Sequence, residues 1–353
     1  MRFYSKLLAI ALLASSAMTQ QTTLRHEQTA RIHTRDEAEA RQLEVRGRIT
    51  ALVESLPEKT LLNPSTILTF QAVGYRMEKV IFYSQPNFLV TAILYLPDRP
   101  GKLPAIVMTP AAGGKAADYV LASVLARNGF IVLTYDPIGQ GERSEAEPAD
   151  ASPPAGDAFI RYTLWDAIRA VDYLQTRYEV DPKRIGAFGR SGTTVMLGAL
   201  DARVQAIALA GDTAGFVSYG LDLADWIELA APRPYAVISA SPDTVPLAEE
   251  TRRFYSLFDP AAFEWITGGD SLLSLQSQIV SFFLKHLAHS SGSPRVMLTP
   301  DGASPKTPNY FPKDIFQVTP TGQVATSYPD AETVYTLIRK ENQRHRPHPP
   351  EQR

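Results

Sequence analysis

The 353-residue chain contains no cysteine, which excludes disulfides and thiolate metal sites and leaves burial and hydrogen bonding to hold the fold. An excess of charge is also lacking: 35 basic and 37 acidic residues give a formal net charge of -2 and an isoelectric point near 6.3. That balance offers no electrostatic attraction to nucleic acid or to an anionic membrane surface. Histidine is scarce. The six are His26, His33, His286, His289, His345 and His348, so the long stretch from His33 to His286 has none between them. There is no internal repeat and no low-complexity tract, and no apolar run, that of residues 7–13 included, is long enough to span a bilayer. No histidine or cysteine cluster has metal-ligand spacing, and Gly113-Gly114-Lys115 lacks the rest of a phosphate loop, so neither metal nor nucleotide cofactor is expected. Lys115 reads as a solvated helix-start residue.

What is present is a chain with 44% hydrophobic residues, enough for a large core. Arg2 and Lys6 precede the apolar run Leu7 to Leu13 and the small residues Ser15-Ser16-Ala17, the pattern of a secretory signal peptide and hence of an exported, periplasmic or extracellular protein. Residues 36–55 carry apolar side chains at helical spacing and predict one amphipathic helix. Strand-like runs at Lys79 to Ser84 and Leu89 to Pro97, separated by Gln85-Pro86-Asn87, predict an antiparallel hairpin. From residue 104 short apolar runs alternate with helical stretches, the signature of parallel strands covered on both faces. Strands are expected at residues 105–110, 131–136, 184–189, 205–211, 235–241 and 263–267. Helices are expected at 117–128, 159–178, 192–201, 247–258 and 272–289. The fold class is therefore α/β, a mostly parallel doubly wound sheet with its site at the carboxyl ends of the strands. After Ser290 proline and polar residues dominate, the packed core is expected to end, and one more helix is expected over 331–343.

The strongest chemical signal is Gly186-Ala187-Phe188-Gly189-Arg190-Ser191-Gly192-Thr193, close to a nucleophile elbow, in which a strained strand-to-helix turn lifts a serine above the sheet. Gly189 fills the first small position, whereas Thr193 replaces glycine at the second. Alone, the motif fits a helix-capping serine equally well. As an elbow it would aim the Gly192 N–H at a developing oxyanion. A second donor would come from Ala111 or Ala112, in a loop whose Gly113-Gly114 pair also reads as an ordinary turn.

The ordered blocks Tyr75 to Val80, Val90 to Pro97, Asp136-Pro137-Ile138-Gly139-Gln140-Gly141-Glu142-Arg143, Trp165-Asp166, Val180 to Gly186, Ala231 to Pro234 and Thr319 to Ser327 resemble the acetyl xylan esterase-like α/β hydrolases. The resemblance spans most of the chain. It implies an α/β-hydrolase fold, Ser191 as nucleophile, Asp243 as the acid of a Ser-Asp-His triad, and architectural roles for Asp136, Arg143 and Trp165. The histidine expected before the last helix is missing; Asp270 stands near its position, and a carboxylate of ordinary pKa is a poor base for a serine. His286 reads as structural, and His289 is the other histidine near that helix end. The domain plan is a signal peptide over 1–17, a helical extension over 18–74, an α/β-hydrolase domain over 75–290, a C-terminal extension over 291–343 and a disordered tail over 344–353. Two functions fit: an exported carboxylic-ester hydrolase acting on small-molecule or carbohydrate esters, or a catalytically impaired pseudohydrolase that binds. In longer relatives the Thr319 to Ser327 block leads into a second hydrolase-like half, which leaves room for a hydrolase-like partner chain.

Overall fold

The computed structural model describes residues 29–144, 157–211, 216–239, 245–267, 275–295 and 315–344. The chain enters through α1 (Arg35–Arg48) and α2 (Thr50–Glu54), two helices where periodicity suggested one. Thr34 and Glu37 form a reciprocal capping box at the start of α1, satisfying donors that a helix amino terminus otherwise leaves orphaned. Three antiparallel strands follow, β1 (Ser65–Ala72), β2 (Tyr75–Gln85) and β3 (Phe88–Pro97). Their turns place Gly74 at φ 86° and Asn87 at φ 60°, residue types that tolerate the left-handed region.

The βα succession begins with β4 (Leu103–Thr109) and runs through α3 (Tyr119–Arg127), β5 (Ile131–Tyr135), α4 (Asp157–Thr176), β6 (Val180–Gly189), α5 (Gly192–Leu200) and β7 (Val204–Ala210). A two-stranded ribbon, β8 (Val217–Ser218) with β9 (Leu221–Asp222), leads into α6 (Leu223–Glu228). The sheet is completed by β10 (Tyr235–Ser239), α7 (Val245–Ser256), β11 (Phe263–Thr267) and α8 (Gln276–His286), before α9 (Val324–Ser327) and α10 (Val334–Arg344). Strand order is β1-β2-β3-β5-β4-β6-β7-β10-β11, with β4 to β7, β10 and β11 mutually parallel. This is the doubly wound sheet with an N-terminal antiparallel hairpin that the sequence predicts, extended by one edge strand, β1.

Alternate residues of one strand feed two cores, as burial on both faces requires. In β4, Ala105 and Val107 join the cluster under α4, α5 and α6, while Ile106 and Met108 join the one under α3 and α8. The terminal segments belong to the same body. In α1, Arg41 forms a buried ion pair of 3.0 Å with Asp225 of α6, and Gln42 donates to the carbonyls of Glu228 and Ala231 at 2.7 and 2.9 Å. At the other end Ile315, Val318, Val324 and Val334 are buried. The packed core therefore does not end near residue 290, because apolar residues spaced among proline and polar ones still reach it.

Candidate active site

The chain goes from β4 to β5 on one side and returns through α4 to β6 on the other, so β4 and β6 flank the point where strand order reverses. Ligands of open α/β sheets bind in such a crevice at the carboxyl ends of the strands. Thr109 and Gly189 are register partners at the ends of β4 and β6, so the loop bearing Ala111 and Ala112 and the segment Arg190-Ser191-Gly192 leave the sheet side by side. Thr109 Oγ1 lies 2.5 Å from Thr194 Oγ1, and a Cβ on Gly189 would fall 2.2 Å from both hydroxyls. Glycine is thus what lets β4, β6 and α5 meet here. Arg190 donates to Asp118 Oδ1 at 3.0 Å, tying the two loops; burial raises the Asp118 carboxyl above the ordinary aspartate range, Arg190 opposing.

Ser191 occupies the predicted place, but not the predicted conformation. Its φ of -138° and ψ of 164° are extended, so the strained backbone of a nucleophile elbow is absent. Ser191 instead starts α5 as an ordinary N-cap backbone, its carbonyl accepting from Thr194 N–H at 3.0 Å, and the chain turns without a positive φ. Its side chain does not cap the helix. The hydroxyl oxygen is buried with no hydrogen-bond partner among the described residues, an arrangement that costs stability unless something uses it. Gly192 follows beneath the Phe216 ring, whose Cε2 would lie 2.2 Å from a Cβ placed there.

Asp243 and Asp270 fall outside the described residues. The described histidines lie at the wrong edge of the sheet. His286 Nε2 is 3.0 Å from Glu264 Oε1, and Glu264 is near the amino end of β11, about 10 Å in strand rise from its carboxyl end at Thr267. His289 comes after His286 along the chain, and is exposed with φ 51°. His33 precedes α1, whose Arg35 covers Phe258 just ahead of β11. None of these three can reach Ser191, so His289 is not the missing base; His286 is structural, as the sequence suggested.

The Gly113-Gly114 turn serves a buried ionic cluster. Both glycines have positive φ, and a Cβ at Gly114 or Gly141 would lie 2.3 or 2.2 Å from Asp136 Oδ1. The Asp136 carboxylate accepts from Lys115 N–H at 2.9 Å, Thr91 Oγ1 at 2.8 Å and Glu142 N–H at 3.1 Å. Lys115 is only 3% exposed; its ammonium pairs with Asp136 and, at 2.7 Å, with Glu142. It is therefore not solvated, because two carboxylates distant in sequence enclose it. Glu142 in turn accepts from the N–H groups of Val318 and Thr319 and from the Thr319 hydroxyl at 2.8–3.0 Å. Arg143 pairs with Asp166 at 2.6 Å over the Phe88 ring, and Trp165 Nε1 donates to the Ser84 carbonyl at 2.8 Å. Asp136, Arg143 and Trp165 thus act as framework beneath the loop. Ala111 and Ala112 lie exposed above it, the Ala111 carbonyl accepting from Gln140 at 2.9 Å.

Two contributors escaped sequence reasoning, Glu142 as the anchor of the C-terminal segment and Phe216 over Gly192. Phe216 also borders a pocket of about 190 Å³ at the start of α5. Among the described residues no helix is long and apolar enough to cross a membrane.

Residues 90–210 match the dienelactone hydrolase family model. Over 134 residues the chain is 34% identical to YcjY, an uncharacterised protein of Escherichia coli K12, a match covering 35% of this chain and 41% of that one. The chain thus spans less than half the length of that curated relative. Among solved structures, Methylesterase BT1017 superposes with a TM-score of 0.57 at 22% identity, over 77% of this chain and 68% of that one. A candidate acetyl xylan esterase from Bacteroides fragilis gives 0.51 at 19% identity, over 69% and 81%. At such identities the likeness is one of fold. Together with the strand order, these matches make the chain an α/β-hydrolase in fold, with residues 90–210 matching the dienelactone hydrolase family model.

Proposed function

We propose that this protein is an exported serine-dependent carboxylic-ester hydrolase that removes acyl groups from carbohydrate or small esters. The observation that carries the reading is the Ser191 hydroxyl, buried and without a partner among the described residues just past the end of the strand that flanks the switch point, within the stretch that matches the dienelactone hydrolase family model. In the proposed reaction Ser191 Oγ attacks the acyl carbonyl carbon and gives its proton to a base. The bond to the alkoxy oxygen breaks, and that proton leaves with the alcohol. Water then cleaves the acyl-serine, releasing the acid and restoring the hydroxyl. Gly192 N–H and a backbone N–H from Ala111 or Ala112 are the proposed oxyanion donors. Asp243 is proposed to orient and Asp270 to accept the proton, which requires Asp270 to be raised above its ordinary range.

A second reading, a degenerate hydrolase that binds without turnover, is favoured by the extended backbone of Ser191 and by the described histidines all lying at the amino edge. Hydrolysis of p-nitrophenyl acetate separates the two. The esterase reading expects turnover by the natural chain that Ser191→Ala abolishes. An inert natural chain that gains serine-dependent turnover through Asp270→His establishes the degenerate reading instead. The amino-terminal Arg2 to Ala17 pattern supports export, and recovery of a shortened chain outside the cytoplasm is the expected outcome; an uncut cytoplasmic chain refutes it.

A further inference from the structure

The pocket of about 190 Å³ next to Gly192 is distinct from the ionic framework and lies at the carboxyl edge of the sheet. Phe159, Ile160 and Thr163 come from the first turns of α4, which runs against the strands and so begins at that edge. Met196 stands one turn beyond Gly192 on α5, and Phe216 and Ser218 close the far side. Gly192 lines the hollow, and its lack of a side chain is what lets the Phe216 ring close over the helix start, one residue from the Ser191 hydroxyl, which has no partner among the described residues. The walls hold three small hydroxyls, those of Thr163, Thr193 and Ser218, and no charged group, and Thr163 already donates to the Phe159 carbonyl, so a carboxylate or a sugar with many hydroxyls would lose more water partners there than it regained. An apolar chain would not. A cavity of about 150 Å³ with apolar walls accepts benzene, so the space exceeds what an acetyl methyl fills.

We propose that this hollow is the acyl pocket of the site and that it takes apolar acyl groups of about four to six carbons, with Thr163, Met196 and Phe216 setting the length. The inference rests on the serine-esterase reading and deepens it: the alcohol side of the ester lies outside, toward the exposed Ala111 loop, and the acyl side lies within. Each buried methylene favours binding about fourfold, so a butyryl ester should exceed its acetyl counterpart about 15-fold in kcat/KM.

The test compares p-nitrophenyl acetate, butyrate and hexanoate with the natural chain, with Thr163→Phe, which fills the pocket, and with Ile160→Ala, which enlarges it. Ligand-observed NMR with ethyl butyrate on Ser191→Ala protein reads occupancy without turnover. Expected are a butyrate-to-acetate ratio near 15, its collapse in Thr163→Phe, and a shift toward hexanoate in Ile160→Ala. Acetate preference unaltered by both substitutions overturns the pocket assignment, as does absence of ethyl butyrate binding. If no ester is turned over while ethyl butyrate binds Ser191→Ala and is lost on adding Thr163→Phe, the esterase reading fails and the apolar short-chain site stands.

Discussion

The single ammonium of Lys115 is shared between Asp136 and Glu142, and all three groups are buried. Replacing it leaves two carboxylates without a cation in a medium that penalises uncompensated charge, although both keep N–H donors. Lys115→Met should therefore lose about 3–5 kcal/mol in chemical denaturation; a loss below about 1 kcal/mol would show that the backbone donors alone suffice. Glu264 has the opposite exposure to chemistry, lying half-buried at the amino edge. Its hydrogen bond from His286 holds the carboxyl down to about 2 against the opposing effect of burial, with Lys285 assisting. A depressed carboxyl stabilises the folded state above its unfolded value of 4.5, and that contribution is lost as pH falls through about 2. At pH 6 Glu264→Gln should cost about 1–2 kcal/mol after allowance for screening. The gap from the natural chain should close between pH 4.5 and 2; a gap independent of pH over that window would assign the loss to packing.

The segment from Ile315 through α10 behaves as part of the fold, with its N–H groups on Glu142 and four apolar side chains in the core. At about 1.5–3 kcal/mol for each buried apolar side chain, its loss is comparable with the 5–15 kcal/mol that stabilises a typical domain. A chain ending at residue 314 should fail to unfold cooperatively and should be cleaved rapidly by protease. A melting temperature within a few degrees of the full chain would make the segment an appendage after all. This element was hard to read because its buried residues are scattered among prolines and polar groups, without a helical or strand period. The edge strand β1 was missed for a related reason: its first five residues are exposed, so no alternation marks it. The parallel strands were legible because burial on both faces demands continuous apolar runs.

Across the molecule, the doubly wound sheet and the place of Ser191 at the end of a strand followed from the sequence, since one motif sat at the end of one recognisable run. Its backbone did not, because whether a serine is strained or extended depends on neighbours such as Phe216 and Thr109 that the motif does not contain. The standing of the histidines was legible in principle. A helix that follows a parallel strand runs back toward the amino edge, so the last residues of α8 had to end there, far from the switch point. Lys115 could not be read in the same way, since its partners depend on how two loops fold over one another.

Glu142 finds its acceptor roles filled by Val318 and Thr319, 176 and 177 positions later. At roughly 5–20 residues per second of synthesis, roughly 9–35 s separate the making of the carboxylate from the making of its partners. During that interval the framework beneath the crevice has a carboxylate without its closing amides, so the domain matures late in its own synthesis, after most of the sheet has been made.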